Sequence, residues 1–170
     1  MPLLGAVAVG LACLPAPAET PVRENAAELA GLFMQSCNRF VGNRQGLRDW
    51  ARATGLPELP EAGEAAFLRG ASGKVFDATD TAGKFVVVSE DSGICSAIAE
   101  LADGAAVIVD LETDLRDSGA DFTLAAETDD AVEQAVRHRE YVVSQDRQAW
   151  QILISIVRDK PGTAMLTAQP

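Results

Sequence analysis

The chain has 170 residues, of which 48% are apolar and 23% charged, and its formal net charge is −11. That length suits one domain with a buried core, and that apolar share excludes a disordered, solvating polymer. The negative charge repels phosphate backbones and anionic lipid surfaces, so nucleic acid and acidic membranes are poor partners.

The N-terminal stretch reads as a targeting segment. Leu3 to Leu14 is almost unbroken apolar, and Ala16-Pro17-Ala18 supplies the small residues that precede signal cleavage. The expectation is a signal peptide over 1–18, a periplasmic or secreted location, and a single α+β domain over 19–170. The apolar run falls short of the ~20 residues that span a bilayer. No Lys or Arg precedes it, and Gly10-Leu11-Ala12-Cys13 offers a second reading, a lipoprotein anchored at Cys13. Membrane attachment enters only by that route.

The first third of the domain is helical in pattern. Ala26, Ala30, Phe33, Cys37 and Phe40 recur at spacings of three and four between Glu24 and Phe40, which is one face of a helix. Gly42-Asn43 breaks the pattern, and Arg44 to Thr54 forms a second helix that gathers Leu47, Trp50 and Ala51. Gly55 and Pro57 end it. Leu56-Pro57-Glu58-Leu59-Pro60 reads as an extended connector, because a residue before proline avoids the helical region. Glu61 to Leu68 predicts a short helix ending at Gly70.

The period then changes. Lys74 to Ala78, Lys84 to Ser89 and Ile94 to Glu100 predict three strands, with turns at Thr81-Ala82-Gly83 and Asp91-Ser92-Gly93. Connections this short make the strands antiparallel. Asp103 caps a helix reaching Ser118, with Ala105, Ile108, Val109, Leu111 and Leu115 assigned to its buried side. Four strands follow, Phe122 to Glu127, Val136 to Ser144, Trp150 to Arg158 and Thr163 to Ala168. Both alternating sets around Trp150 are largely apolar, which predicts a central strand covered on both sides. The expected fold is α+β, with N-terminal helices packed on a mainly antiparallel sheet and a chain order, after those helices, of three strands, one helix and four strands.

Removal of 1–18 leaves two cysteines, Cys37 and Cys95. An oxidising compartment favours a bond between them, and small Ala97 and Ala99 leave room for the first helix to bring its cysteine over the third strand. A redox-active pair is the functional alternative; reactive cysteines, however, sit in Cys-x-x-Cys motifs or electropositive surroundings. Two unpaired thiols follow if the chain is not exported.

Phe33-Met34-Gln35-Ser36-Cys37, Gly42-Asn43, Phe67-Leu68 with Gly70 and Gly73, and Gly93-Ile94-Cys95-Ser96 followed by an acidic helix start carry a resemblance. Over about residues 30–115 the chain resembles a family of small exported proteins and lipoproteins of proteobacteria with no established activity. The resemblance implies an envelope location and one Cys–Cys bond, and it brings no catalytic residues with it.

Candidate chemistry is sparse. His138 is the only histidine, so any Ser-His-Asp or Cys-His site must pass through it, yet it sits in Arg137-His138-Arg139 on a strand with no nucleophile elbow in sight. Glu127, Asp129, Asp130 and Glu133 form an acidic turn that lacks the calcium-loop pattern. Asp110, Glu112, Asp114 and Asp117 lie along one helix and read as a solvated face. Trp50, Trp150 and Tyr141 are either pocket or core. The sequence points to no cofactor and no metal.

Arg44, Arg48 and Arg52 stand four residues apart, so they share a helix face on an otherwise acidic chain. Such a stripe holds a carboxylate or an acidic partner, or else pairs with the protein's own sheet. The expected function is therefore a non-catalytic, monomeric, exported envelope domain that presents the Arg44–Arg52 face or a sheet edge to a protein partner. Two other classes stand beside it, a small carboxylate-dependent hydrolase and an inhibitor or immunity-type protein masking a basic partner.

Overall fold

The computed structural model describes residues 20–133 and 135–170. The cleavage site, the segment 1–18 and Cys13 lie outside them. The element order is α1 (Pro21–Phe33), a π-helical turn (Met34–Asn38), α2 (Arg44–Ala53), α3 (Glu61–Leu68), β1 (Gly73–Asp77), β2 (Phe85–Glu90), β3 (Cys95–Ala102), α4 (Gly104–Asp117), β4 (Asp121–Asp129), β5 (Val136–Gln145), β6 (Gln148–Val157) and β7 (Gly162–Gln169). The strands form one sheet in the order β1-β2-β3-β7-β6-β5-β4, antiparallel throughout. This is a single α+β domain with helices packed against a seven-stranded antiparallel sheet.

Strand alternation gives the sheet two unlike faces. On the first, Val87, Ala97, Leu166 and Ile154 stand in one register row across β2, β3, β7 and β6, and all are fully buried. α1 and α4 cover this face through Leu29, Phe33, Val107, Leu111 and Leu115. Each such large side chain contributes about 1.5–3 kcal/mol by leaving water. The rows flanking the centre carry Ala99, Ala164 and Ala168, whose small size lets the helix layer come close. Gly104 opens α4 where a Cβ would stand 3.0 Å from Ile156, so any larger residue would push β6 or α4 back by a few tenths of an ångström.

Two expectations are corrected here. β6 is interior but not covered on both sides: Trp150, Ile152, Ile154 and Ile156 are buried, whereas Leu153, Ser155 and Val157 on the second face are only half-buried. Among the described residues the second face is capped by α3, near β1 and β2. The buried stripe of α4 is Gly104, Val107, Leu111 and Leu115, and Val109, assigned to the core from its apolarity, is 60% exposed. The helical period selects the first set, because residues three and four apart share a face.

The β1 edge of the sheet is covered by the chain that precedes it. Asp77 N–H donates to the Pro57 carbonyl and Leu59 N–H to the Val75 carbonyl, so the expected connector lies along β1 as a partial extra strand. Pro57 and Pro60 cannot donate to a further strand, and this closes that edge. The β5–β6 hairpin turns on Asp146 and Arg147, both at positive φ (50° and 69°), the pattern that matches the twist of the flanking strands.

α1 does not end in an ordinary cap. Its last turn widens into the π-turn, which carries Cys37 over β3, and Cys37 and Cys95 are joined by a disulfide with Cα atoms 5.2 Å apart. Both cysteines are buried. Asn38, at the end of the same turn, accepts a hydrogen bond from the Trp150 indole N–H at 3.1 Å, tying α1 to β6 as well. The cross-link closes 58 residues of sequence separation, worth about 4 kcal/mol in the loop-entropy account. Replacing both cysteines with alanine should lower the urea midpoint by an amount matching most of that loss, and reductant should do the same to the unaltered chain. An unchanged midpoint in both would show that burial alone holds α1 on the sheet.

Candidate functional site

The three arginines of α2 do share a face, and Arg44 and Arg48 on it meet the β2–β3 turn. Arg48 donates to Ser89 Oγ (3.1 Å), to the Ser89 carbonyl (2.8 Å) and to Asp91 Oδ1 (2.8 Å). Its side chain is 13% exposed. Arg44 donates to the Asp91 carbonyl, and Arg52 pairs with Asp49 and, at 3.9 Å, with Glu58. The Arg48 hydrogen bond is the main reason the Asp91 carboxyl lies below its usual range. The stripe therefore ties α2 to its own sheet.

His138 stands directly opposite Ser155 across β5 and β6, with Nδ1 2.8 Å from Ser155 Oγ, and its Nε2 lies 3.4 Å from Asp130 Oδ2. The residue types are those of a serine hydrolase, but their setting is not. Ser155 pairs with β5 on one side and with Met165 of β7 on the other, so its backbone is committed to the two ladders. The contact pins a hairpin. Asp130 accepts from the Val132 and Glu133 amides, and these two bonds, with His138 third, lower its pKa.

The acidic turn expected near β4 is tied down in the same way. Glu127 pairs with Arg139 and Arg137, and Asp129 pairs with Arg137 (3.1 Å) and Arg158 (2.9 Å). Among the described residues no group of three or more His, Cys, Asp or Glu side chains is placed to hold a metal ion. On α4, Asp110 pairs with Arg23 of α1, and Glu112 accepts from the Tyr141 hydroxyl at 2.7 Å and from Arg116 at 2.9 Å. Tyr141 and Trp150 belong to the core. Asp114 is raised, by burial first and by Asp110 and Asp117 next.

Trp50 alone of the three large aromatics lines a hollow. A concavity of about 400 Å³ lies between α1, the end of α2 and the β1–β2 connection. Its apolar walls are Leu32, Trp50, Leu56, Ala78 and Phe85, its neutral polar side chains Gln35, Thr54 and Thr79, and its acids Glu28, Asp77 and Asp80. No lysine or arginine lines it. None of the three carboxylates has a cationic partner among the described residues, whereas Asp110, Glu112, Glu127 and Asp129 do. Asp77 Oδ1 accepts from the Thr79 amide and Asp80 Oδ1 from the amides of Ala82 and Gly83, so turn geometry fixes both groups. The hydrogen bonds from Thr79 hold the Asp77 carboxyl below its usual range. Phe40 braces the Trp50 ring, with centroids 6.2 Å apart and planes tilted by 41°.

Sequence reasoning singled out Trp50 but not the carboxylates that accompany it. Asp77-Ala78-Thr79-Asp80 carried a usable signal, since two aspartates around a strand end predict side-chain-capped turns. Nothing in the sequence brings Glu28 to them. No family model, no curated protein sequence and no solved structure matches the chain.

Two measurements check this description. Arg48→Ala leaves the buried Ser89 hydroxyl and carbonyl without their donor and should cost about 1–3 kcal/mol in chemical denaturation, while Arg52→Ala, at the surface, should stay within about 0.5 kcal/mol. Tyr141 is the only tyrosine, so phenolate absorbance reports it alone. Burial first, then its bond to Glu112, push its pKa from 10.0 up to about 12. Its folded value lies above its unfolded one, so the contribution is complete below pH 10 and is lost as pH rises through about 12. The phenolate transition should fall back to its ordinary position in urea, and an equally low transition in the folded protein would contradict the buried site.

Proposed function

We propose that this chain is an exported, disulfide-stapled, non-catalytic and monomeric domain of the bacterial envelope. In this reading it receives a positively charged group of a protein partner in the Trp50 hollow. One observation carries it: three carboxylates without cationic partners among the described residues line one concavity together with Trp50 and Phe85, on a chain of net charge −11. No lysine or arginine lines that concavity, so the charge that balances its three acids is supplied from outside. A cationic side chain brings an aliphatic stem for the apolar walls and a charge for the rim.

Export is supported by the apolar run Leu3 to Leu14 with Ala16-Pro17-Ala18, by the buried Cys37–Cys95 bond and by the resemblance to small exported proteobacterial proteins. Among the described residues no helix is long and apolar enough to cross a membrane. We place the contact at the hollow rather than on Arg44, Arg48 and Arg52, because those guanidinium groups already meet Ser89, Asp91, Asp49 and Glu58. A carboxylate-dependent hydrolase needs one acid of raised pKa in the cleft. The acid pushed upward is Asp114 on α4, which does not line the hollow, and Asp77 within it is pushed downward. An inhibitor masking a basic partner would use the same contact.

Trp150 is buried and Trp50 half-buried, so tryptophan emission is a direct readout. Titration with an alternating lysine–arginine hexapeptide at low salt should shift that emission. Raising the ionic strength to about 1 M, where screening shortens to about 3 Å, should abolish the shift. The triple variant Glu28→Gln, Asp77→Asn, Asp80→Asn keeps the turn-capping oxygens and should bind at least tenfold more weakly with an unchanged melting temperature. Equal binding by the triple variant would remove the hollow as the site.

A further inference from the structure

We infer that the group taken into the Trp50 hollow is the guanidinium of an arginine side chain in a partner protein, in preference to a lysine ammonium. This rests on reading the hollow as a cation site and adds the chemistry that selects among cations. Three features of the walls decide it.

The first is the spread of the acids. Glu28 projects from α1, Asp77 ends β1, and Asp80 lies in the connection to β2, so the rim carries charge from three elements. These side chains do not form a cluster that could hold a metal ion. A compact point charge placed against one of them leaves the others unused. A guanidinium carries five N–H donors in a planar fork and can bond to acids on more than one side of itself. Asp77 and Asp80 each use Oδ1 for backbone amides, so neither group is free to swing towards a small cation.

The second is Trp50. Its ring is held by Phe40 and is half-buried in the wall of the hollow. Among aromatic faces, tryptophan attracts cations most strongly, and the flat guanidinium stacks on it where an ammonium cannot. The third is the remaining wall. Leu32, Leu56, Ala78 and Phe85 form its apolar part, beside Gln35, Thr54 and Thr79, and those four side chains offer no hydrogen bonds to a cation that must shed water. A lysine ammonium is the more strongly hydrated of the two and loses more on entering such a space. The three-carbon stem of arginine lies against the same apolar atoms.

The test uses the full oxidised chain and dye-labelled, acetylated and amidated pentapeptides Gly-Leu-Xaa-Leu-Gly, with Xaa arginine, lysine or citrulline, read by fluorescence anisotropy. The arginine peptide should bind at least tenfold more tightly than the lysine peptide, and the citrulline peptide, which keeps the shape without the charge, should not bind. Trp50→Ala should erase the arginine preference, and Trp50→Phe should restore part of it, which guards against a variant that merely misfolds. Equal affinity for arginine and lysine, with both lost in the triple carboxylate variant, overturns the arginine inference and leaves the cation site standing. Binding of citrulline as tight as that of arginine overturns both, and so does no binding by any peptide.

Discussion

The close seating of α1 on the middle of the sheet is the constraint from which the other features follow. Ala97, Ala99, Ala164 and Ala168 thin the first face where β3 meets β7, and the π-turn then lowers Cys37 onto Cys95. A helix held at that height sets the depth of the helix layer for α4, whose Asp110 pairs with Arg23 of α1, and for α2, which follows the π-turn. The covalent tie limits the chain before folding and the small residues let it form without strain in the packing. The hydrophobic effect has no direction, so the position of α1 along the apolar face is set by the disulfide and by the bonds of Asn38 to Trp150 and of Arg23 to Asp110.

The hollow is a by-product of that seating. α1 contributes Glu28 and Leu32, α2 contributes Trp50, and the β1–β2 connection contributes Asp77 and Asp80. None of these elements forms a site alone. They meet because α1 is fixed over β3 while the Arg48 hydrogen bonds to Ser89 and Asp91 fix α2 beside β2. The arginine stripe thus serves the site at one remove, by placing the element that carries Trp50.

The two faces of the sheet divide the labour differently. The helix-covered face supplies nearly all of the buried core, while the second face is capped by α3 near β1 and β2 and otherwise alternates half-buried apolar residues such as Ile98, Leu153 and Met165 with Ser96, Ser155 and Thr167. At the edges, proline seals β1, and β4 carries Asp121, Glu127 and Asp129 together with an irregular register near Leu124 and Ala126. Charges and a bulge on an edge strand discourage pairing with another chain.

The local pattern of residues was enough to place helices and strands, because apolar periodicity, glycine and proline act within a few residues of themselves. The spacing of Phe33 and Cys37, the turns ending at Gly83 and Gly93 and the cap at Asp103 all lie within that reach, and they imply an α+β domain with an antiparallel sheet. Which apolar residues are buried was less legible: Val109 and the second face of β6 look like core by composition, and only the position of the helix layer shows that they are not. The hollow lay beyond local reach altogether. Glu28, Trp50 and Asp77 have no pattern in common along the chain, and they share a wall only because a disulfide and a set of arginine hydrogen bonds hold three separate elements around one space. Residue type and spacing therefore determined what could form, and packing decided which side chains were left facing one another.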